Sequence, residues 1–461
     1  MARNCIFLIF GVTGDLSKQR LIPAISNLIA SRAVDNFKII GLGRRQISKD
    51  DLIKSFKEVA AFEKVSGKVK DFDSHFEYVS FDFEKLDDYI GLKSKISALE
   101  STSKWDKLVY LSTPPSLFES ITKLLGESGL NKQSESNWTR IVYEKPFGTS
   151  FENAVKLNRE VLSSFSENQV YRIDHYLGKE LIGNISFLRF TNQVLEPLWN
   201  KNYVDSVQIY LNENGTVSTR GEYYDATGAV RDMVQNHALQ ILSLIAMEEP
   251  HKLSAQHIRE EKAQVLKKVR FTDALYGQYK GYRSEAGVSE GSTTETFAVL
   301  KVDVENSRWR GVPFFIKTGK ALAKKEAGVY IKFKPTSSIL KDGELNPSNF
   351  LEIRIHPDEG FALELNAKTP GTSTDITTAK MDFCHSCLYA MHTPESYEKL
   401  LGDVLKGDQS VFVRTDEIEY SWKAVDDLLS KKNYIHTYEK GSSGPLEIKM
   451  FESKYNVRFK N

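Results

Sequence analysis

The nine residues Arg172-Ile173-Asp174-His175-Tyr176-Leu177-Gly178-Lys179-Glu180 hold more chemistry than any other short stretch of this chain. Cationic or protonatable donors, a phenol and carboxylates crowd a run that no core-packing pattern demands. His175, Tyr176 and Lys179 could together donate hydrogen bonds to a phosphate, which takes several converging donors. Asp174 remains as a fixed acceptor, the role of a carboxylate that orients a histidine. A solvated charged turn is the competing reading of the same residues.

Other motifs extend this chemistry. Gly11-Val12-Thr13-Gly14-Asp15-Leu16-Ser17-Lys18 follows a strand-like run and opens a helix. Small residues there, at Gly11, Thr13 and Gly14, let backbone approach a pyrophosphate. The helix start at Asp15 and Leu16 supplies oriented N–H groups. The spacing is not G-x-G-x-x-G, so an ordinary tight turn competes. Gly41-Leu42-Gly43-Arg44-Arg45 puts arginines where an NAD enzyme carries an acidic residue for the ribose hydroxyls. A guanidinium can fork onto a 2′-phosphate, so Arg44, helped by Arg45, points to NADP; the alternative is a pair of solvated loop arginines.

In Tyr143-Glu144-Lys145-Pro146-Phe147-Gly148 the proline holds Lys145 extended and delays the next helix. A lysine so held can reach nicotinamide and substrate alike. Gly228 to His237 lies on a strong helix expected over about Thr227 to Met247. Asp232 and His237, five apart, stand roughly 140° round an α-helix and flank one another. A lone helical histidine is more often structural than catalytic, but Asn236 and Asp232 accompany this one on an otherwise apolar helix. Lys317 to Lys324 adds Lys320 and Lys324, as anion contacts or as a solvated basic turn. Cys384-His385-Ser386-Cys387 is a tempting C-x-x-C, yet a structural zinc site normally needs two such pairs and Cys5 lies far away. Packing is its expected role.

These residues need elements to hold them. A chain of 461 residues has room for two domains with substantial cores. Cys5 to Phe10 reads as a strand buried on both faces, and Lys38 to Gly41, Lys107 to Ser112 and Arg140 to Glu144 as three more, separated by helical segments. The expected fold is an α/β N-terminal Rossmann-type dinucleotide-binding domain over residues 1–175, with ligands beyond the carboxyl ends of its strands. From about residue 200, Val204 to Leu211, Phe297 to Val304, Phe314 to Lys317, Val329 to Phe333, Phe350 to Ile355 and Phe361 to Leu365 read as strands joined by short turns. Residues 176–461 are therefore expected to form an α+β domain with a large, mainly antiparallel sheet.

Composition excludes several classes. Lys+Arg at 62 against Asp+Glu at 61 leaves a formal charge of +1, without the basic footprint of a nucleic-acid binder. Small anions must then be held by local basic clusters. The apolar runs Cys5 to Phe10 and Ala238 to Met247 are too short for a membrane span, and the first is too short for a signal peptide. Three cysteines argue against a disulfide framework and suggest a reducing, cytoplasmic location.

The run from Arg172 to Glu180 matches the active-site signature of the glucose-6-phosphate dehydrogenases, and Gly11 to Lys18 resembles their G-x-x-G-D-L-[AS]-K fingerprint. Four motifs occur in family order, from about residue 11 to about Trp422, with a further touch at Gly441 to Pro445. The resemblance implies oxidation of D-glucose 6-phosphate at C1 to 6-phospho-D-glucono-1,5-lactone with reduction of NADP, the first step of the oxidative pentose phosphate pathway. It makes His237 the base that takes the C1 hydroxyl proton and Asp174 the carboxylate that stabilises the imidazolium. His175, Tyr176 and Lys179 would hold the phosphate, assisted by Lys145, Lys320 and Lys324. Glu213 and Asp232 would accept from ring hydroxyls. Hydride removal from an alcohol needs a base and no metal, which agrees. Some family members carry a second NADP site to which Arg354 and Lys325 could belong, but Ala362 and Glu364 stand where an aromatic and a basic residue are expected. The segment after about Lys432 is short, and Phe451 to Asn461 matches nothing in that pattern. A homodimer or homotetramer is expected, as a broad exposed sheet face suits symmetric assembly. A dehydrogenase of neutral sugars would give His175 and Lys179 no anion, and a non-catalytic NADP sensor would need neither Asp174 nor His237.

Overall fold

The computed structural model of the chain describes residues 4–67, 69, 71–337, 345–372, 374–384, 396–431 and 434–460. The chain divides into two compact units. One comprises Met1–Gly178, Leu253–Arg259 and Pro394–Glu419; the other comprises Lys179–Lys252, Glu260–Thr393 and Tyr420–Asn461.

The first unit is built on strands β1 (Asn4–Phe10), β2 (Asn36–Gly43), β3 (Phe76–Ser80), β4 (Asp106–Leu111), β5 (Thr139–Tyr143) and β6 (Val170–Arg172). They pair in parallel in the order β3-β2-β1-β4-β5-β6. Cys5 to Phe10 are all buried, as a strand covered on both faces requires. The order reverses between β1 and β4, which opens a crevice at their carboxyl ends. β3 and β6 escape the sequence reading because one is mostly half-buried and the other has only three residues. Two of the connecting helices start on serine caps: Ser48 Oγ accepts from Asp51 N–H at 3.1 Å and Ser150 Oγ from Asn153 N–H at 3.2 Å. The helix Ile22–Ala30 buries Ile22, Ile25 and Leu28 in one core with Leu400, Leu401 and Val404. That packing ties the late helix Ser396–Lys406 to the first unit.

The second unit holds β7 (Val204–Asn212), β8 (Val269–Tyr279), β9 (Phe297–Val304), β10 (Pro313–Gly319), β11 (Glu326–Phe333), β12 (Phe350–His356), β13 (Gly360–Lys368), β14 (Ile376–Cys384) and β15 (Ile435–Tyr438). Their order is β14-β13-β12-β11-β7-β10-β9-β8-β15. β10 with β7 and β15 with β8 are parallel, and the other pairs are antiparallel. The mainly antiparallel sheet expected from the sequence is present. The strong helix is not one helix. Gly228, at φ 70° and ψ 174°, breaks it, Val230–Ala238 is π-helical, and Leu239–Ala246 is a buried α-helix.

The C-terminal residues that matched no pattern prove to be core. Phe451 and Phe459 pack on Phe315, and Lys460 forms an ion pair with the buried Glu352. Cys384 is disulfide-bonded and Cys5 is free and buried. A low cysteine count argues against a framework but not against a single bond. His385, Ser386 and Cys387 lie outside the described residues. Among the described residues no helix is long and apolar enough to cross a membrane.

Candidate active site

The residues read as coenzyme contacts gather at the carboxyl end of β1. Gly11 has φ +84°, and a Cβ there would stand 2.4 Å from the backbone oxygen of Ser112, just past β4. Only glycine lets the chain cross the switch point so closely. The N–H groups of Gly11 and Val12 donate to Leu42 O at 2.9 and 3.2 Å, and Gly14 N–H returns to Gly11 O at 3.0 Å. Ser17 Oγ also donates to Gly11 O, at 3.2 Å. The turn is thus tied to its own backbone, with Gly14 and Asp15 exposed and Thr13 and Leu16 half-buried. Bare backbone at a helix start suits the diphosphate of a nicotinamide dinucleotide.

Arg44 and Arg45 follow β2 with exposed side chains. Their loop is held from β3, where Tyr78 Oη lies 3.1 Å from Gly43 O and 2.5 Å from Arg45 O. The phenol fixes backbone and leaves both guanidinium groups to a ligand. The sequence reading missed Tyr78 because it missed β3.

Lys145 leaves β5 half-buried, joined by a cis peptide to Pro146. Beyond β6 the signature run makes a compact turn. Asp174 is buried and accepts Tyr176 N–H at 2.9 Å, while its backbone oxygen accepts Leu177 N–H at 3.0 Å. His175 and Tyr176 are half-buried, with ring centroids 5.0 Å apart. A Cβ on Gly178 would meet the Leu400 side chain at 2.8 Å, so the helix Ser396–Lys406 presses on this turn. Arg172 is not a ligand contact. Its buried guanidinium donates to Glu167 at 2.9 and 3.1 Å and to Thr415 Oγ1 at 3.0 Å.

In the second unit, Lys179 precedes the helix Glu180–Phe190 and its ammonium donates to Ile355 O at 3.2 Å. Burial lowers its pKa, Lys325 lowers it further, and Glu359 opposes both. His356 is lowered by burial and then by the charges of Lys179 and Lys325. Both lysines are exposed, but the field of Lys325 acts on Lys179 and that of Lys324 on Lys460. Two adjacent lysines carry no spacing signal that could have separated these roles.

The remaining residues form one cluster in the second unit. His237 is fully buried, and its N–H donates to Asn236 Oδ1 at 2.6 Å. In a π-helix the hydrogen bond spans five residues, so Asp232 and His237 stand on one side in successive turns. That corrects the flanking arrangement expected for an α-helix. Lys320 is ion-paired with Glu213 and lies 3.8 Å from Asp232. Its backbone is pinned on both sides: Lys320 N–H donates to Thr296 O at 2.8 Å, and Tyr438 Oη donates to Lys320 O at 2.7 Å. Leu322 N–H donates to Glu213 O at 2.9 Å. Gly228 opens the helix because a Cβ would strike Glu295, whose carboxylate takes Val230 N–H at 3.0 Å. Asp232, Glu213 and Lys320 thus offer two acceptors and a cation, with His237 on the same helix as Asp232.

The family model described as glucose-6-phosphate dehydrogenase, NAD binding domain, matches residues 8–184, and the C-terminal domain model of the same enzyme matches residues 186–460. Glucose-6-phosphate 1-dehydrogenase of Bacillus subtilis (strain 168) is 39% identical over 471 residues, covering 96% of each chain. The Borreliella burgdorferi enzyme of the same name is 39% identical over 465 residues, again with 96% of each chain covered. A solved glucose-6-phosphate dehydrogenase in complex with its substrate glucose 6-phosphate superposes with a TM-score of 0.92 at 35% identity, covering 100% of this chain and 99% of that one. The glucose-6-phosphate 1-dehydrogenase from Mycobacterium avium gives a TM-score of 0.85 at 34% identity, covering 97% and 96%. With both domain models matched in sequence and the fold shared end to end, the chain belongs to the glucose-6-phosphate dehydrogenase family.

Proposed function

We infer that this chain oxidises D-glucose 6-phosphate at C1 to 6-phospho-D-glucono-1,5-lactone, with NADP as coenzyme. The observation that carries the reading is the full-length likeness to a dehydrogenase solved with glucose 6-phosphate, at 35% identity. The bound nicotinamide supplies the hydride acceptor. The rest belongs to side chains. His237 takes the C1 hydroxyl proton as the C1–H bond breaks and the lactone carbonyl forms, and Asp174 is the carboxylate that balances the imidazolium. His175, Tyr176 and Lys179 hold the phosphate, with Lys145, Lys320 and Lys324 assisting; Lys325 joins them because its charge reaches Lys179. Glu213 and Asp232 accept from ring hydroxyls. Exposed arginines at 44 and 45, with no acidic residue beside them in the Gly41 to Arg45 run, support NADP over NAD. Arg354 argues against a second dinucleotide site, since its guanidinium is engaged by Asp382 at 2.7 and 2.5 Å. The reading extends to a cytoplasmic homodimer or homotetramer, supported by the broad sheet with its exposed outer strand Ile376–Cys384; light scattering on the purified protein tests the assembly.

The test is coenzyme reduction with glucose 6-phosphate, followed in the near ultraviolet, in the wild type and in His237→Asn. The variant should bind substrate while kcat falls by about 10²–10⁴-fold, the size of a general-base contribution. A folded His237→Asn protein with near-normal kcat would remove His237 from that role.

A further inference from the structure

Glu144 is the residue immediately before Lys145, and the sequence reading gave it no task. Its half-buried carboxylate is held by neutral donors from two distant parts of the first unit. Tyr110, on β4, donates its hydroxyl to Oε1. Tyr397, on the helix Ser396–Lys406, donates to the same oxygen at 3.1 Å. The backbone N–H of Lys145 is the third donor, and the Lys145 ammonium also favours the ionised carboxylate. Burial pulls the other way and lifts the Glu144 carboxyl above its usual range.

The surroundings make this grip specific. Tyr110 is fully buried, and Arg20 acts on Tyr397 from the first helix. A carboxylate withdrawn from water needs its donors, because losing one leaves an unsatisfied charge. Lys145 N–H is therefore fixed to a side chain that is itself fixed from β4 and from the late helix. The peptide so held lies where β5 ends, at the carboxyl edge of the parallel sheet, where ligands of such sheets bind.

We propose that Glu144 is a positioning residue, clamped by Tyr110 and Tyr397, that holds the backbone at Lys145 so that its ammonium meets the sugar phosphate and the coenzyme. This rests on the dehydrogenase reading and on the role given there to Lys145. Displacing a positioned group by about 1 Å costs about 10²-fold in rate. Glu144→Gln, which keeps the shape and drops the charge, should lower kcat/KM for glucose 6-phosphate by about tenfold to a hundredfold, mainly through kcat.

The test compares Glu144→Gln in the wild-type and Lys145→Ala backgrounds, after wild-type turnover with glucose 6-phosphate and NADP has been measured. A residue that acts through Lys145 has nothing left to position once the ammonium is gone. The double variant should then match Lys145→Ala alone. Tyr397→Phe, which removes one phenol, should show a smaller loss and the same non-additivity, and it carries the test if Glu144→Gln fails to fold by thermal unfolding. A full, independent loss repeated in the Lys145→Ala background would overturn the clamp and leave the dehydrogenase reading intact. No wild-type turnover would overturn that reading, and the clamp with it.

Discussion

The turn at Gly11 in the first unit and the cluster at Asp232 in the second prepare for polar ligands by opposite means. The turn uses backbone. Gly11, Val12 and Gly14 are tied to Leu42 and Gly11 carbonyls, and the arginines beyond β2 stay exposed on a loop fixed by Tyr78. The cluster uses side chains. Asp232 and Glu213 share the Lys320 ammonium while partly or wholly out of water. A backbone site has almost no steric slack, so it fails when an atom is added. A side-chain site tolerates shape but not charge imbalance, so it fails when a charge is removed or moved. The two units should therefore answer substitution differently.

The sharpest contrast comes from a single methyl group. Gly11→Ala drives Cβ against the carbonyl oxygen of Ser112, a residue just past β4 whose own N–H is held by Phe10 O at 2.9 Å. Gly11 also sits at φ +84°, where alanine costs about 1–2 kcal/mol before the clash is counted. Coenzyme affinity should fall by about 100-fold or more, while equilibrium binding of glucose 6-phosphate stays close to wild type. Fluorescence titration of both ligands checks this. If a folded Gly11→Ala protein binds coenzyme nearly as well as wild type, the turn relaxes and the contrast between the units is lost.

The backbone-built half was the more legible in sequence. Glycines directly after an apolar run, and arginines directly after the next, are local signals. Chain order alone relates them to a sheet. The side-chain half was legible as a set of residues but not as a geometry. Asp232 and His237 could be named, yet no pattern showed that Val230–Ala238 winds as a π-helix, because apolar spacing does not report which backbone bond closes. Contacts across long separations were invisible. Tyr397 stands 253 positions from the Glu144 it grips, and nothing in either local run announces the other. The same applies to Lys325, which acts on Lys179 only after β11 and β12 have folded beside it.

Arg44 tests whether the exposed arginines belong to the coenzyme at all. Arg44→Ala removes a charge-assisted contact worth about 1.5–3 kcal/mol, or roughly 10- to 150-fold in affinity. The loss should fall on NADP and spare NAD, which has no 2′-phosphate. Folding should be unaffected, since Tyr78 bonds to the loop carbonyls and not to the guanidinium. Steady-state kinetics with each coenzyme gives the ratio. An equal loss for both would mean that Arg44 supports the shared diphosphate or the loop.

The smallest effect expected is also the one that isolates charge from shape. In the proposed reading Lys179 binds phosphate as an ammonium, and its pKa is lowered by burial, with Glu359 holding it partly up and Lys325 adding to the lowering. A lowered pKa means that the cation is lost at a lower pH than for a free lysine. As pH rises, kcat/KM for glucose 6-phosphate should begin to fall before an ordinary lysine would deprotonate, and KM should carry the change. Glu359 gives the sign. Glu359→Gln removes the group that favours the ammonium, so the alkaline limb should move to lower pH. Tyr210→Phe, a shape-neutral change elsewhere on the same sheet, should leave the limb where it was. The backbone-built coenzyme site should show no matching limb in KM for NADP over that range, because peptide N–H donors do not titrate there. A Glu359→Gln profile that superposes on wild type, or moves to higher pH, would show that Lys179 is not the group that titrates with phosphate binding.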